Sequence, residues 1–356
     1  MTEALWAQAE TIASQLQDEP AQAESAAQAL LQQAKLQSDH ELLAHAHRLL
    51  ARSQHLQGKT GEAIRTLQAA IRFLQRHKLN QPIMQAYDEL GSLLYEQLNY
   101  YAALDAWLKS LEIATVLQTS HGCIRAYLGV GKVHFAFGDY RKATHFYQMA
   151  QSLSLPLQDA RLDCEVALNL AASAYRLGEY NKAQAALGQV SLHLLEDLSQ
   201  PAWEADVLTY NGLLHLHFSR YSVAQELLSQ AYQLYRKHRL IGGQGQVMIA
   251  LARCFTALAQ ADLAEECLLE AARLSTEHQL LSLGVESHTS LAQLYLEQGQ
   301  HQSALQHRKL LHALLVGQHQ EQGFPLQMSS HARMRLRKIE RELETRKIRL
   351  RLLALH

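Results

Sequence analysis

Residues 128–150 read LGVGKVHFAFGDYRKATHFYQMA, and this stretch decides the fold. Its first half sets Val130, Gly131, His134 and Phe135 at helical spacing, and its second half does the same with Ala143, Phe146, Tyr147 and Ala150. Between them, Phe137-Gly138-Asp139-Tyr140 places a glycine where a helix ends and a left-handed residue costs least. The stretch predicts helix, tight turn, helix.

Working outward, Ala143 belongs to a ladder: Ala63, Ala103, Ala143, Ala183, Ala224, Ala264 and Ala304, spaced by 40 residues with a single interval of 41. A fixed period of this size means one supersecondary unit stacked many times. Twelve residues before the ladder stand Ala51, Gly91, Gly131, Ala171, Gly212, Ala252 and Ala292. Five before it stand Gly58, Gly138, Gly178 and Gly299, with Leu98, Ser219 and Ala259 in the other units. The small residues mark where the two helices of a unit cross. A larger side chain there would force the backbones apart, at about 1–3 kcal/mol. They are packing positions and drop out of any functional list. The extra residue of the long interval is expected around Ser199, Gln200 and Pro201.

Together with Leu170–Ala185 (LAASAYRLGEYNKAQA), these stretches resemble the tetratricopeptide repeat family, whose commonest period is 34. A period near 40 resembles the longer-helix variant of kinesin light chains and bacterial peptide-sensing regulators. The resemblance covers residues 39–319. It implies an all-α, right-handed superhelical solenoid of about seven helix-turn-helix repeats, with first helices lining a concave face. Residues 1–38 read as N-terminal capping helices or a degenerate repeat, and residues 326–356 as a basic amphipathic helix.

Composition is consistent with a helical chain that buries a continuous core: 48% of the 356 residues are hydrophobic and only five are proline. The net charge of −1 hides a basic end, since residues 331–356 hold nine Arg or Lys against three Glu. Cys123, Cys164, Cys254 and Cys267 form no CxxC pair, so free thiols in a reducing compartment are expected. With no leader-like start and no long apolar run, a cytoplasmic location and no membrane contact are expected.

In the basic end, Leu336, Ile339, Leu343, Leu350 and Leu353 keep heptad-like spacing, broken only by Arg346. That seam predicts a coiled coil or linker, and a homodimer through it. The seam and the lack of interleaved aromatics speak against a nucleic-acid surface. The segment resembles the helix that joins repeat domains to output domains in bacterial signalling proteins such as diguanylate cyclases. The resemblance raises an alternative function, the regulatory region of a signalling enzyme whose catalytic domain follows residue 356. A second alternative, a peptide-responsive transcription regulator, needs a helix-turn-helix that residues 1–38 are too short and acidic to supply.

No catalytic motif and no cofactor site is legible. Gly58-Lys59-Thr60 lacks the P-loop glycine at position 53, which is Ser53. Twenty histidines include no metal-ligand spacing. Ile241-Gly242-Gly243-Gln244-Gly245 reads as a loose inter-repeat loop. The candidate groove is the first-helix face turned away from the ladder. It offers Arg48 and Arg52, then Asp88 and Tyr95, then Arg125, Lys132 and Phe135. Farther on it offers Tyr175 and Arg176, then Arg253, with Glu286, Gln293 and Glu297 beyond. Arginine interleaved with aromatics suits an extended peptide carrying carboxylates. The expected function is a non-catalytic protein- or peptide-binding module in signalling or regulation.

Overall fold

Every turn between the helices of a predicted unit closes on a left-handed residue. In the computed structural model, φ is +79° at Gly58, +73° at Gly138, +76° at Gly178 and +74° at Gly299. Leu98, Ser219 and Ala259 adopt the same conformation at φ 60°, 59° and 58° without the glycine. The Leu98 amide donates to the Tyr95 carbonyl and the Asn99 amide to the Leu94 carbonyl, which satisfies the orphan carbonyls of the helix end. Side-chain caps then start several of the next helices. Asp39 accepts from the Leu42 amide, Asn99 from Ala102, Thr119 from Gly122, and Asp159 from Arg161 and Leu162.

The structure describes residues 2–322, except 17, 191–194 and 196–199, and beyond them 334, 336–339, 341 and 345. The chain divides into two compact units, residues 1–157 with 328–356, and residues 158–327. The first unit holds α1 (Thr2–Gln15), α2 (Pro20–Leu36), α3 (His40–Leu56), α4 (Thr60–Arg76), α5 (Asn80–Glu96), α6 (Tyr100–Leu117), α7 (Ser120–Ala136) and α8 (Tyr140–Ser154). The second holds α9 (Ala160–Arg176), α10 (Tyr180–Leu187), α11 (Pro201–His217), α12 (Tyr221–Lys237), α13 (Ile241–Ala257), α14 (Ala261–Glu277), α15 (Leu281–Glu297) and α16 (His301–Gln322). No strand occurs among the described residues, and no helix there is long and apolar enough to cross a membrane.

Odd-numbered helices are the first of each pair and even-numbered the second. Within each unit every helix packs on its sequence neighbours, and successive first helices also touch: α1 with α3, α3 with α5, α5 with α7, and in the second unit α9 with α11, α11 with α13, α13 with α15. Second helices make no comparable contact among the described residues, so within each unit the first helices form the closer face. All seven ladder alanines are at 1% exposure or less. The glycines twelve residues earlier lie under the partner helix. A Cβ on Gly131 would sit 2.3 Å from the Tyr147 ring of α8, closer than van der Waals contact allows.

Two readings of the sequence need amendment or placement. The stretch Ile241–Gly245 is not a loop but the first turns of α13. Its glycines serve close packing: a Cβ on Gly243 would meet the Tyr235 ring at 2.4 Å, and one on Gly245 would meet Leu283 at 2.2 Å. In the C-terminal seam, Leu336 and Ile339 are helical and buried, covered by the chain itself. Leu343, Leu350 and Leu353 lie outside the described residues.

Candidate functional site

In the first unit, the candidate arginines find carboxylates on a neighbouring first helix. Arg48 of α3 reaches Glu89 of α5 with Nε at 3.0 Å and Nη2 at 2.8 Å, and it also donates to Gln85. Arg52, one turn on, donates to the same Glu89 oxygen at 2.5 Å, and His55 lies 3.2 Å from Glu96. Arg125 of α7 reaches back to Asp88 of α5 at 3.1 Å. Asp88 also accepts from the Trp107 indole at 3.2 Å, so its carboxylate joins three helices.

Trp107 itself fills the space between α5 and α7. A Cβ on Gly91 would meet its ring at 2.8 Å and one on Gly129 at 2.2 Å. Tyr95 packs edge-on against Tyr100 and tilted on Trp107, and burial pushes its phenol well above the usual range. Phe135 packs edge-on against Tyr140, and Lys132 is half-buried. Between α3 and α5 a small cavity of about 150 Å³ lies beside Arg52, His55, Glu89 and Glu96.

In the second unit the candidates converge more loosely. Tyr175 of α9 stands edge-on to Tyr210 of α11 and Tyr180 of α10. Burial pushes its phenol up, the Arg253 and Arg176 cations pull it down, and Glu286 pushes it up again, so α9, α13 and α15 present charge to one space. Arg253 donates to Glu286 at 3.0 Å, and Gln293 donates to Glu297 at 2.8 Å. Arg176 is exposed at the end of α9.

Beside Arg253 opens a pocket of about 930 Å³ between α13, α15 and α16. Ile249, Ala252, Leu268, Ala292, Leu294, Leu311 and Leu315 form its apolar surface. Thr256, Thr289, Gln293, Glu297, Arg308 and His312 supply polar groups. The volume falls in the range of ligand-sized sites. It gathers Arg253, Gln293 and Glu297 from the sequence-derived face and adds α16, which that face omitted.

The pocket has a sequence origin. Sixteen residues after each small first-helix residue stands the side chain that covers it: Leu67, Trp107, Tyr147, Leu187, Leu228 and Leu268, all at 4% exposure or less. In the last repeat that position is Arg308, which is exposed. No ion-pair partner engages Arg308 among the described residues. One polar substitution in an otherwise apolar row places an exposed cation beside the pocket, while Ala292 itself stays buried at 4% exposure.

Other reactive groups are accounted for by packing. All four cysteines are free thiols inside helices, and burial pushes Cys254 and Cys267 up to about 11. No cluster of three metal-ligating side chains occurs among the described residues. Lys59, the would-be P-loop lysine, lies in a helix–helix turn and pairs with Glu24 at 2.9 Å.

The tetratricopeptide repeat family model matches residues 82–154, which span α5 to α8. The chain carries tetratricopeptide repeats. Solved structures with the same fold include a Rap protein complexed with competence and sporulation factor, at TM-score 0.60 and 14% identity over 88% of this chain and 98% of that one. The apo form of the quorum sensor NprR from B. thuringiensis matches at TM-score 0.54 and 14% identity, over 88% of this chain and 99% of that one. A signal transduction ATPase with a tetratricopeptide repeat sensor, from Pyrococcus horikoshii, matches at TM-score 0.56 and 15% identity. That match covers 86% of this chain but only 47% of the ATPase. No curated protein matches the chain in sequence.

Proposed function

We propose that the second unit is a binding module for a peptide segment, free or part of a partner protein, received in the pocket beside Arg253 and Arg308. The single observation that carries this reading is an apolar pocket of about 930 Å³ with an exposed cation where the repeat calls for a core residue. A bulky apolar side chain would fill the floor, and a carboxylate near it would meet Arg308. Tyr175 and Arg176 would extend the contact along α9.

The reading is one of recognition rather than catalysis. The rim groups Arg253 and Glu297 are held in place by Glu286 and Gln293, an arrangement that orients a ligand. The fold neighbours support a regulatory role, since one was solved with a signalling factor bound and another is a quorum sensor. As the sensor region of a longer signalling enzyme, the chain would use the same pocket as its input.

Fluorescence anisotropy with a panel of labelled peptides tests it, each pairing Leu, Ile or Phe with a nearby Asp or Glu. Arg308→Glu and Thr289→Trp, which reverses the charge and fills the pocket from an exposed position, should each weaken the best binder at least about tenfold. Arg125→Ala in the first unit should leave it unchanged. A panel with no binder, or binding indifferent to both pocket variants, would reject the reading.

A further inference from the structure

His288 of α15 and His307 of α16 meet at the flank of this pocket. Their Nδ1 atoms are 3.0 Å apart and their ring centroids 5.2 Å. An imidazole nitrogen lies about 1.2 Å from its ring centre, so two rings meeting head-on at this distance would have centres about 5.4 Å apart. The observed value is close to that limit, and the two nitrogens point nearly straight at each other. A metal ion would need both lone pairs turned toward a third point about 2 Å from each. The geometry is that of one proton held between two nitrogens.

The surroundings are defined. The His307 ring stacks on Tyr295 of α15 at 5.4 Å and 17°. Tyr295 donates its hydroxyl to Glu265 of α14 at 2.7 Å. Glu265 is the charge acting on His307, and His307 is the titratable group acting on His288. The next residue after each histidine, Thr289 and Arg308, lines the pocket.

We propose that His288 and His307 form a proton-counting latch that fixes the distance between α15 and α16 and thereby the width of the pocket. With both rings neutral, one Nδ1–H donates to the other Nδ1. A first proton from water settles on His307, nearer the Glu265 charge, and its Nδ1–H donates to His288 as a charge-assisted bond. A second proton has only the His288 Nδ1 to go to. That sets N–H against N–H at 3.0 Å with two like charges, and the bond is lost. Thr289 and Arg308 then move apart with their helices. Burial already lowers both imidazoles from their usual value. The hold therefore persists through the first protonation and fades only as the second proton enters, below the usual imidazole range, because burial and the first charge both oppose it. The role as a regulator rests on the pocket being the binding site; the latch itself does not.

The test uses the full chain labelled with ¹⁵N-histidine, titrated by NMR from pH 8 to pH 5. A nitrogen–nitrogen coupling across the shared hydrogen bond is expected at pH 7.5 and should vanish as the second proton enters. Amide-exchange protection of residues 301–316, corrected for intrinsic rates, should fall at least about tenfold over the same range. In His288→Asn the side-chain amide oxygen can take the place of Nδ1 as the acceptor of the His307 Nδ1–H and does not titrate, so protection should persist at pH 5. The proposal is overturned if the coupling is absent at pH 7.5, if the two rings titrate as independent single steps, or if His288→Asn loses protection where the unaltered chain does. Running the peptide panel at both pH values separates the two claims. A working latch with no peptide bound sinks only the binding reading, and pH-indifferent binding with independent rings sinks only the latch.

Discussion

The first-helix faces of the two units look alike on paper and differ in what they leave open. Both carry arginine interleaved with aromatic residues. In the first unit each of three arginines is met by a carboxylate 37 or 41 residues away, as Arg48 and Arg52 are by Glu89 and Arg125 is by Asp88. The face is neutralised by its own neighbours, beside a cavity of about 150 Å³. In the second unit Arg253 is likewise met by Glu286, here 33 residues away, but the last repeat then puts the exposed Arg308 where the other repeats have a core residue, beside a pocket of about 930 Å³. A charge on a repeat face says little about binding until the residue one repeat away has been read with it.

The difference in packing can be broken by adding one methyl group to each unit. In Gly129→Ala the new Cβ would lie 2.2 Å from the Trp107 ring, which Gly91 already backs on its far side. A rigid ring so confined cannot yield, and a loss of about 2–3 kcal/mol is expected in urea unfolding. Gly212→Ala would meet Leu228 at 2.7 Å, a side chain that can change rotamer, for about 1 kcal/mol. Equal losses would remove the distinction between a tight and an accommodating unit.

Charge offers the next test. Glu89→Ala releases the half-buried Arg48 and the exposed Arg52 together. Stability should drop by about 1–2 kcal/mol. A labelled glutamate-rich peptide should bind the first unit measurably tighter than it binds the unaltered chain. Anisotropy showing no gain would mean that Glu89 is not what silences this face.

The smallest effect concerns the turns. Leu98 holds φ 60° and is 52% exposed, so glycine there would relieve backbone strain at little packing cost. Leu98→Gly should raise stability by about 0.5–1 kcal/mol, and Gly178→Ala at the matching turn of the second unit should lower it by about 1 kcal/mol. Thermal melts of the two variants moving in the same direction would show that the turns are not equivalent.

The period, the helix pairs and the crossings were legible because each depends on residues within one repeat. Ala63 and Ala304 obey the same local geometry 241 residues apart. The ion pairs were not legible, since Glu89 announces itself as a partner of Arg48 only once α3 and α5 are known to lie side by side. The glycines at 242–245 were misread because glycine marks both a loop and a close contact, and only the neighbours Tyr235 and Leu283 decide between them. Arg308 was within reach: it is the odd residue in a row of leucines and aromatic rings, visible once the sixteen-residue offset is followed.

The interval of 41 residues has a consequence for how such a chain can change length. Helix α10 begins 20 residues after α9, and α12 begins 20 after α11, so the additional residue falls between Leu187 and Pro201. Inside a helix, one inserted residue turns everything beyond it by about 100°. Placed ahead of α11, it leaves the phase of that helix intact, and Gly212 still comes to rest against Leu228. Within the second unit the repeat thus tolerates a change of length ahead of α11 while the helix pair that follows keeps its thread.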